Sequence, residues 1–538
     1  MNGPSQQLQS HPWRLLRRAL RAHDSGDLHK AERLYAALLR DHPDNFDALH
    51  GLGRIHYGRG RLDTALALFQ TALQADLGRA DGFASLGLVF HAMRQFERAL
   101  VSYDEGLRLV PNDPELLNRR GVALLDLGRP LEALENFERV LTADPGHCDA
   151  LGNRGNALLK LNRPAAALAD YDTALQRALD NAQLLTNRAV ALRRLDRPHE
   201  AVMSAKRALV QRPDFAQARF VESVARLTLG DFSGWGGYEA RWSVGLLASQ
   251  RRSFTAPLWL GEGSLDGKTI LLHAEQGSGD TIQFVRYAPL LAARGATKII
   301  VEVQRELVRL LSCIAGIAVV ARGDILPPFD CHCPLLSLPL AFATELATIP
   351  AEVPYIAPAD VDRALWRRRL PERRPLVGLA WSGARVHDND LNRSLGFGTL
   401  TPLLDLPGLS FVSLQHDVRE DDAPLLQARP DVLALGAAFG DFADTAAAIA
   451  SLDAVVAVDT AVAHLAGAMG KPLFLLLPFA ADFRWLRERQ DSPWYPTARL
   501  YRQPRFGDWD GVIGTLRQDL RQDLTPVDLI PHARKLSA

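Results

Sequence analysis

Small, aromatic and proline residues recur at a fixed step along the first two hundred positions. Gly53, Gly87, Gly121, Gly155 and Ala189 stand 34 residues apart, and Ala31, Ala65, Ala99, Ala133, Ala167 and Ala201 keep the same step. Tyr35, Phe69, Tyr103, Phe137 and Tyr171 each follow one of those alanines by four positions. Pro43, Pro111, Pro145 and Pro213 share a phase whose two gaps hold Leu77 and Leu179. The pattern predicts helical hairpins. Small residues let paired helices approach, the aromatic is expected to wedge against the next repeat, and proline ends a helix because it lacks an N–H. Gly60 and Gly128 mark turns between helices. Six repeats are legible over residues 12–215. A degraded unit follows over 216–255, containing Gly230-Asp231-Phe232, Trp235, Tyr238, Glu239, Arg241 and Trp242. Its aromatics are expected to cap the stack and dock it on the next domain.

A 34-residue period with this order of residue types resembles the tetratricopeptide repeat. The resemblance implies an α-solenoid, acting either as a rigid spacer or as a groove for a protein partner or acceptor polypeptide. The would-be groove positions His50, Ala84, Asn118, Gly152 and Thr186 vary, and no continuous ladder of asparagines is visible.

Beyond the joint Ala256-Pro257-Leu258-Trp259-Leu260-Gly261 the period changes. Apolar runs at Lys268 to His273, Lys298 to Val303 and around Val319-Val320 read as strands, with a glycine-rich turn and a helix from Thr281 to about Arg294. Leu376 to Trp381, Phe411 to Leu414, Ala454 to Val458 and Leu473 to Leu477 read as a second strand set. Strand, turn, helix, strand implies parallel sheets. The expectation is an α/β lobe over 256–358, a polar linker or helix over 359–374, and a second α/β lobe over 375–538. A ligand cleft is expected between the lobes.

Lys+Arg and Asp+Glu each number 62, so no net basic field favours nucleic acid or anionic lipid. The four cysteines, Cys148, Cys313, Cys331 and Cys333, are too few for a disulfide framework and fit a reducing compartment. Cys331-His332-Cys333 lacks a second ligand pair, so buried or loop cysteines are favoured over a metal site. The N-terminal segment does not read as a signal peptide, and no apolar run reaches the length of a membrane span. A cytoplasmic protein is expected.

Two strand ends carry candidate chemistry. Asp280 follows Gln276-Gly277-Ser278-Gly279 at a strand-to-helix turn. It reads either as a carboxylate at a cleft mouth or as an N-cap for a helix opening at Thr281. At the second strand end, Asp459-Thr460-Ala461-Val462-Ala463-His464 opens a helix whose first amides lack intrahelical partners. Ala461, Ala463 and Ala466-Gly467 are small enough to admit a diphosphate, and His464 lies one turn in. The alternative is a capped helix with a core histidine.

The run DTAVAHLAGAMGKP resembles the signature of glycosyltransferase family 9, the heptosyltransferases. Gly279-Asp280, Gly378 to Gly383, Asp390 to Ser394, Ser413-Leu414-Gln415, Asp441 to Ala446 and Ser492 to Pro496 resemble bacterial tetratricopeptide-repeat proteins carrying such a module. The resemblance implies a GT-B fold with the acceptor on the first lobe and the nucleotide-sugar on the second. Asp280 would deprotonate the acceptor, with Gln276, Gly277, Ser278 and Gly279 beside it. Asp459, Thr460, Ala461 and His464 would hold the donor diphosphate, facing Ser382 and Gly383. Heptosyltransferases steady that diphosphate with a lysine. The 382–394 loop has none, so Arg385 or Arg393 would serve. No Asp-x-Asp motif lies at a plausible strand end, which implies leaving-group stabilisation without an obligatory metal or cofactor. The aromatic cluster of Asp482 to Trp485 and Ser492 to Pro496 is read as lobe packing in preference to ligand stacking. The expected function is sugar transfer from a nucleotide-sugar to a protein or cell-surface glycan acceptor, with the repeats recruiting acceptor or partner. The alternative is an interaction scaffold whose nucleotide-sugar module is not catalytic.

Overall fold

The computed structural model describes residues 10–387 and 389–524. The end of the expected second lobe, 525–538, lies outside them. The chain divides into two compact units, one up to Ala191 and one from Leu192.

Thirteen consecutive helices, from Ser10–Asp24 to Ala216–Thr228, occupy the repeat region among the described residues. Every turn between the two helices of a hairpin holds one residue in the left-handed region, at Gly26, Gly60, Arg94, Gly128, Asn162, Asp196 and Gly230. Glycine adopts that conformation freely, and the same step makes the turn periodic even where the residue type is not. The aromatic position packs in two directions. A Cβ on Gly53 would lie 2.4 Å from Phe69, and one on Gly121 would lie 2.5 Å from Phe137. In both cases the ring packs on the glycine of its own hairpin; Phe69 also clusters with Val89 of the next repeat, and Tyr35 meets Gly51 of the following helix.

In the column of would-be groove positions, His50, Asn118 and Thr186 are hydrogen-bonded within the stack. His50 Nε2 shares a hydrogen bond with Ser85 Oγ (2.8 Å), and Asn153 donates to Asn118 Oδ1 (3.0 Å). Thr186 is buried and donates to Ala182 O within its own helix. Asparagines do form a short run at neighbouring positions, where Asn156 Oδ1 accepts from Asn187 (2.9 Å) and Tyr171 (2.8 Å).

The second unit begins with the helical hairpin Pro198–Gln211 and Ala216–Thr228. Val224 and Leu227 share one core with Trp235, Tyr238 and the first α/β lobe, which is why this hairpin belongs with the lobes. Trp235 and Tyr238 meet Phe483 edge-on at 5.6 and 5.7 Å. Beneath them Arg241, fully buried, donates from Nε and Nη2 to the two oxygens of Glu275 (2.9 and 3.0 Å) and from Nη2 to Ser337 Oγ (2.8 Å).

The first sheet comprises β1 (Thr269–His273), β2 (Lys298–Val303), β3 (Ala318–Ala321) and β4 (Cys331–Pro334), all parallel in the order β3-β2-β1-β4. Cys331-His332-Cys333 therefore lies within a buried strand, with His332 Nδ1 at 3.2 Å from His273 Nε2. The second sheet comprises β5 (Leu376–Ala380), β6 (Ser410–Ser413), β7 (Val432–Ala434), β8 (Ala454–Val458), β9 (Leu473–Leu477) and β10 (Ala498–Arg502). It is parallel throughout, in the order β10-β9-β8-β5-β6-β7. Counted from β5, this is the doubly wound order in which crossovers leave in opposite directions from β5 and β8. Such a reversal opens a crevice beyond the carboxyl ends of the two central strands. Their apolar runs are buried along their whole length, as strands covered on both faces must be. Residues 360–367 of the expected linker form a helix. Among the described residues, no helix is long and apolar enough to cross a membrane.

Candidate functional site

The two candidate segments of the second lobe lie side by side because β5 and β8 pair in parallel, Ala380 beside Ala457. β5 delivers Ser382-Gly383, and β8 delivers Asp459-Thr460. Several residues that sequence reading valued only as motif matches hold the first of these turns. Gln415 Oε1 accepts the N–H groups of Trp381 and Ser382 (both 3.1 Å), while its Nε2 donates to Ser382 O (3.0 Å). Gly383 N–H donates to Ser394 Oγ (2.9 Å), and Ser394 donates to Asp390 Oδ1 (2.6 Å). Arg419 pairs with the other Asp390 oxygen at 2.6 Å.

Of the two arginines considered for the missing lysine, the structure brings only Arg393 to the strand ends. A Cβ on Gly383 would lie 2.5 Å from Arg393 Nη2, so this glycine is what allows the guanidinium to rest on the turn. Arg393 Nη1 donates to Asp459 O (3.0 Å), whereas Arg385 is exposed on the loop.

The Ala461–Ala468 helix begins where expected, with Thr460 as N-cap in extended conformation, yet the threonine side chain does not cap it. Thr460 Oγ1, Ser382 Oγ and Arg393 Nε are each buried without a hydrogen-bond partner. Buried polar atoms are seldom left unpaired, and three of them here surround one uncapped helix start.

His464 is fixed on one side of its ring. Its Nδ1 shares a hydrogen bond with the Tyr495 hydroxyl (2.9 Å), and its ring stacks on Trp485 at 5.4 Å. Burial, reinforced by Arg484, pushes its pKa down to about 3, so the imidazole is neutral and brings no positive charge to a phosphate. The 3.7 Å between His464 Nε2 and Asp459 Oδ1 is accordingly not an ion pair. The small residues behind it also have another cause. A Cβ on Gly467 would meet the Tyr495 ring at 2.5 Å, and Ala463 and Ala466 are buried, so only half-buried Ala461 leaves room beside the helix start. Asp459 is pushed up to about 6 by burial and by Asp482, against the pull of Arg393 and Arg484.

On the first lobe, the helix opens at Ser278, three residues before the expected Thr281, with Gly277 as N-cap. Asp280 thus stands in its first turn. Its Oδ2 accepts the Gly277 N–H (2.9 Å), and its Oδ1 is paired with Arg484 of the second lobe. Gln276 Nε2 donates to the Tyr238 hydroxyl (3.3 Å) and Ser278 to Glu306 (3.0 Å), so neither side chain joins Asp280. An open gap between Asp280 and Thr460 is not found. A Cβ on Gly279 would lie 2.8 Å from His464 Cδ2 and 3.6 Å from Ala461 N, so the two helix starts abut at this glycine. On its other side the Thr460 turn is flanked by the Ser382-Gly383 turn and Arg393.

The 482–485 segment, read from sequence as packing, supplies both packing and charge. Arg484 binds Asp482 (2.7 Å) as well as Asp280, over the rings of Phe483 and Phe284. A hollow of about 560 Å³ lies elsewhere, lined by Arg363, Arg367, Arg374 and Lys471 together with Asp360 and Asp453.

A family model described as tetratricopeptide repeat matches residues 16–80, 85–147 and 153–214. The N-terminal helices are tetratricopeptide repeats. Protein FlbA of Caulobacter vibrioides (strain ATCC 19089 / CIP 103742 / CB 15) is 26% identical over 337 residues, covering 57% of this chain and 55% of FlbA. The chain therefore spans about half the length of that relative. The CTR9 homolog of Arabidopsis thaliana is 31% identical over 98 residues, 18% of this chain and 9% of that protein. A crystal structure of a tetratricopeptide repeat protein from Parabacteroides merdae ATCC 43184 is 18% identical, with a TM-score of 0.38, covering 44% of this chain and 93% of that one. The matched repeats offer surfaces of the kind that bind other proteins.

Proposed function

We propose that the second unit is a glycosyltransferase of GT-B plan, which moves a sugar from a nucleotide-sugar to a protein or glycan acceptor recruited by the repeats. The observation that carries this reading is the set of unpaired buried atoms, Ser382 Oγ, Arg393 Nε and Thr460 Oγ1, around an uncapped helix start at the β5/β8 reversal. A diphosphate answers that set. Its oxygens accept hydrogen bonds from hydroxyls, guanidinium and helix amides, and its charge suits the positive end of the helix dipole. Glycosyl transfer builds negative charge on the departing diphosphate, and donors fixed in place stabilise it as it forms. Asp280, a carboxylate of the first lobe beside this region, takes the acceptor proton in this reading.

Calorimetry of the full chain with UDP-, GDP-, ADP- and CMP-sugars tests the donor site, and release of free sugar tests turnover. Micromolar binding of one donor class is expected, and binding of none would overturn the reading. A non-catalytic scaffold is favoured by the engagement of both Asp280 oxygens. Donor binding without transfer or hydrolysis would select it.

A further inference from the structure

We propose that Arg484 is a second diphosphate-binding residue, held by Asp280 until the donor arrives, so that donor binding itself releases the carboxylate. The inference rests on the donor reading above and gives Arg484 a role beyond packing.

Arg484 stands on the loop after β9, at the edge of the Asp459 cluster, and its side chain is 9% exposed. One guanidinium nitrogen binds Asp482 and another binds Asp280, while Nε is buried with no partner. Phe483 (4.6 Å) and Phe284 (5.6 Å) lie against the guanidinium group and restrict where it can swing. Asp280 follows Gly279, which touches Ala461 at the uncapped helix start, so Arg484 and that start are neighbours. Arg393 approaches from the other side through Asp459 O. The Asp280 and Asp482 carboxylates thus share Arg484, while Arg393 holds the main-chain carbonyl of Asp459.

A diphosphate carries more charge than one carboxylate and offers more acceptors, so it competes with Asp280 for Arg484. When Arg484 turns to the phosphates, Asp280 loses its cation and becomes an available base. No bond is made or broken in this step. Acceptor activation then follows donor binding, which orders the two substrates.

Calorimetry with ADP, GDP, UDP and inorganic pyrophosphate is run on the full chain and on variants whose folding is verified by thermal melting. Arg484→Lys is expected to weaken binding at least tenfold, because a lysine cannot hold phosphate and carboxylate with a planar fork. Asp280→Asn is expected to tighten binding several-fold, because the competing carboxylate is gone. A merely structural Asp280 would loosen it. If Asp280→Asn does not fold, Asp482→Asn supplies the same test with the same sign. Absence of diphosphate binding by the native chain would overturn the donor reading, and this inference with it. Native binding that falls in Arg393→Lys but is unchanged in Arg484→Lys and in the aspartate variants would overturn this inference alone.

Discussion

Gly279 and His464 meet where the two lobes touch, with space at Gly279 for a hydrogen but not for a methyl group. His464 cannot retreat, because Tyr495 holds one side of its ring and Trp485 covers a face. Gly279→Ala is therefore expected to cost about 1–3 kcal/mol through overpacking. Chemical denaturation measures it, and a loss below about 0.5 kcal/mol would show that the lobes separate freely here.

Asp459 and His464 give the site opposing pH responses. Asp459 is raised from 3.8 to about 6, so the folded protein holds a proton that the unfolded chain has lost between those values, and stability falls as pH rises through that window. His464 is lowered from 6.5 to about 3, so the unfolded chain takes the proton first and stability falls as pH drops below 6.5. Asp459→Asn removes the first effect. Relative to the native chain it is expected to gain on the order of 2 kcal/mol at pH 8 and nothing near pH 4. Unfolding curves across pH 4–8 provide the check, and a pH-independent difference would contradict the assignment.

Arg241 and Glu275 are both buried, and Arg241 pairs with Glu275 and also with Glu239. Arg241→Met would leave Glu275 in the core without its cation, at an expected cost of about 3–5 kcal/mol. Replacing both, as Arg241→Met with Glu275→Leu, is expected to recover part of that loss, the remainder reflecting Glu239, which also loses its arginine. Urea titrations of the single and double variants measure the coupling. Equal destabilisation by single and double variants would mean that the pair itself, not the stranded charge, is what matters.

Arg94 occupies the left-handed turn position that glycine fills in four of the seven turns at this step, with φ of 59°. An arginine there carries a steric cost of roughly 1–2 kcal/mol, partly offset because glycine is the more mobile residue when unfolded. Arg94→Gly is expected to stabilise the repeat unit by about 0.5–1 kcal/mol, read as a rise in its thermal midpoint. A fall would show that the Arg94 side chain makes contacts that outweigh the strain.

The repeats and most strands were legible because their signals are local. The 34-residue step places small and aromatic residues on facing helices, and the runs Lys298–Val303, Ala454–Val458 and Leu473–Leu477 are strands from end to end. β4, β7 and β10 escaped notice; their short runs of four, three and five residues are interrupted by Cys-His-Cys, bounded by exposed positions, or alternate with arginine. Arg393 was singled out from a loop that lacked lysine, and it does reach the Asp459 strand end. Arg484 was not, since nothing in Asp482-Phe483-Arg484-Trp485 announces that a carboxylate 204 positions earlier will meet it.

Chain order and side-chain periodicity alone determined that helical hairpins precede two parallel-sheet lobes, and that Asp280 and Thr460 each follow a strand. Only the tertiary structure decided that their helix starts abut at Gly279, that His464 is neutral, and that Asp280 is held by an arginine. Secondary structure follows from interactions within a few residues. Burial, charge pairing and pKa depend on which distant segments the sheet order brings together, and that order is set by packing of the whole unit.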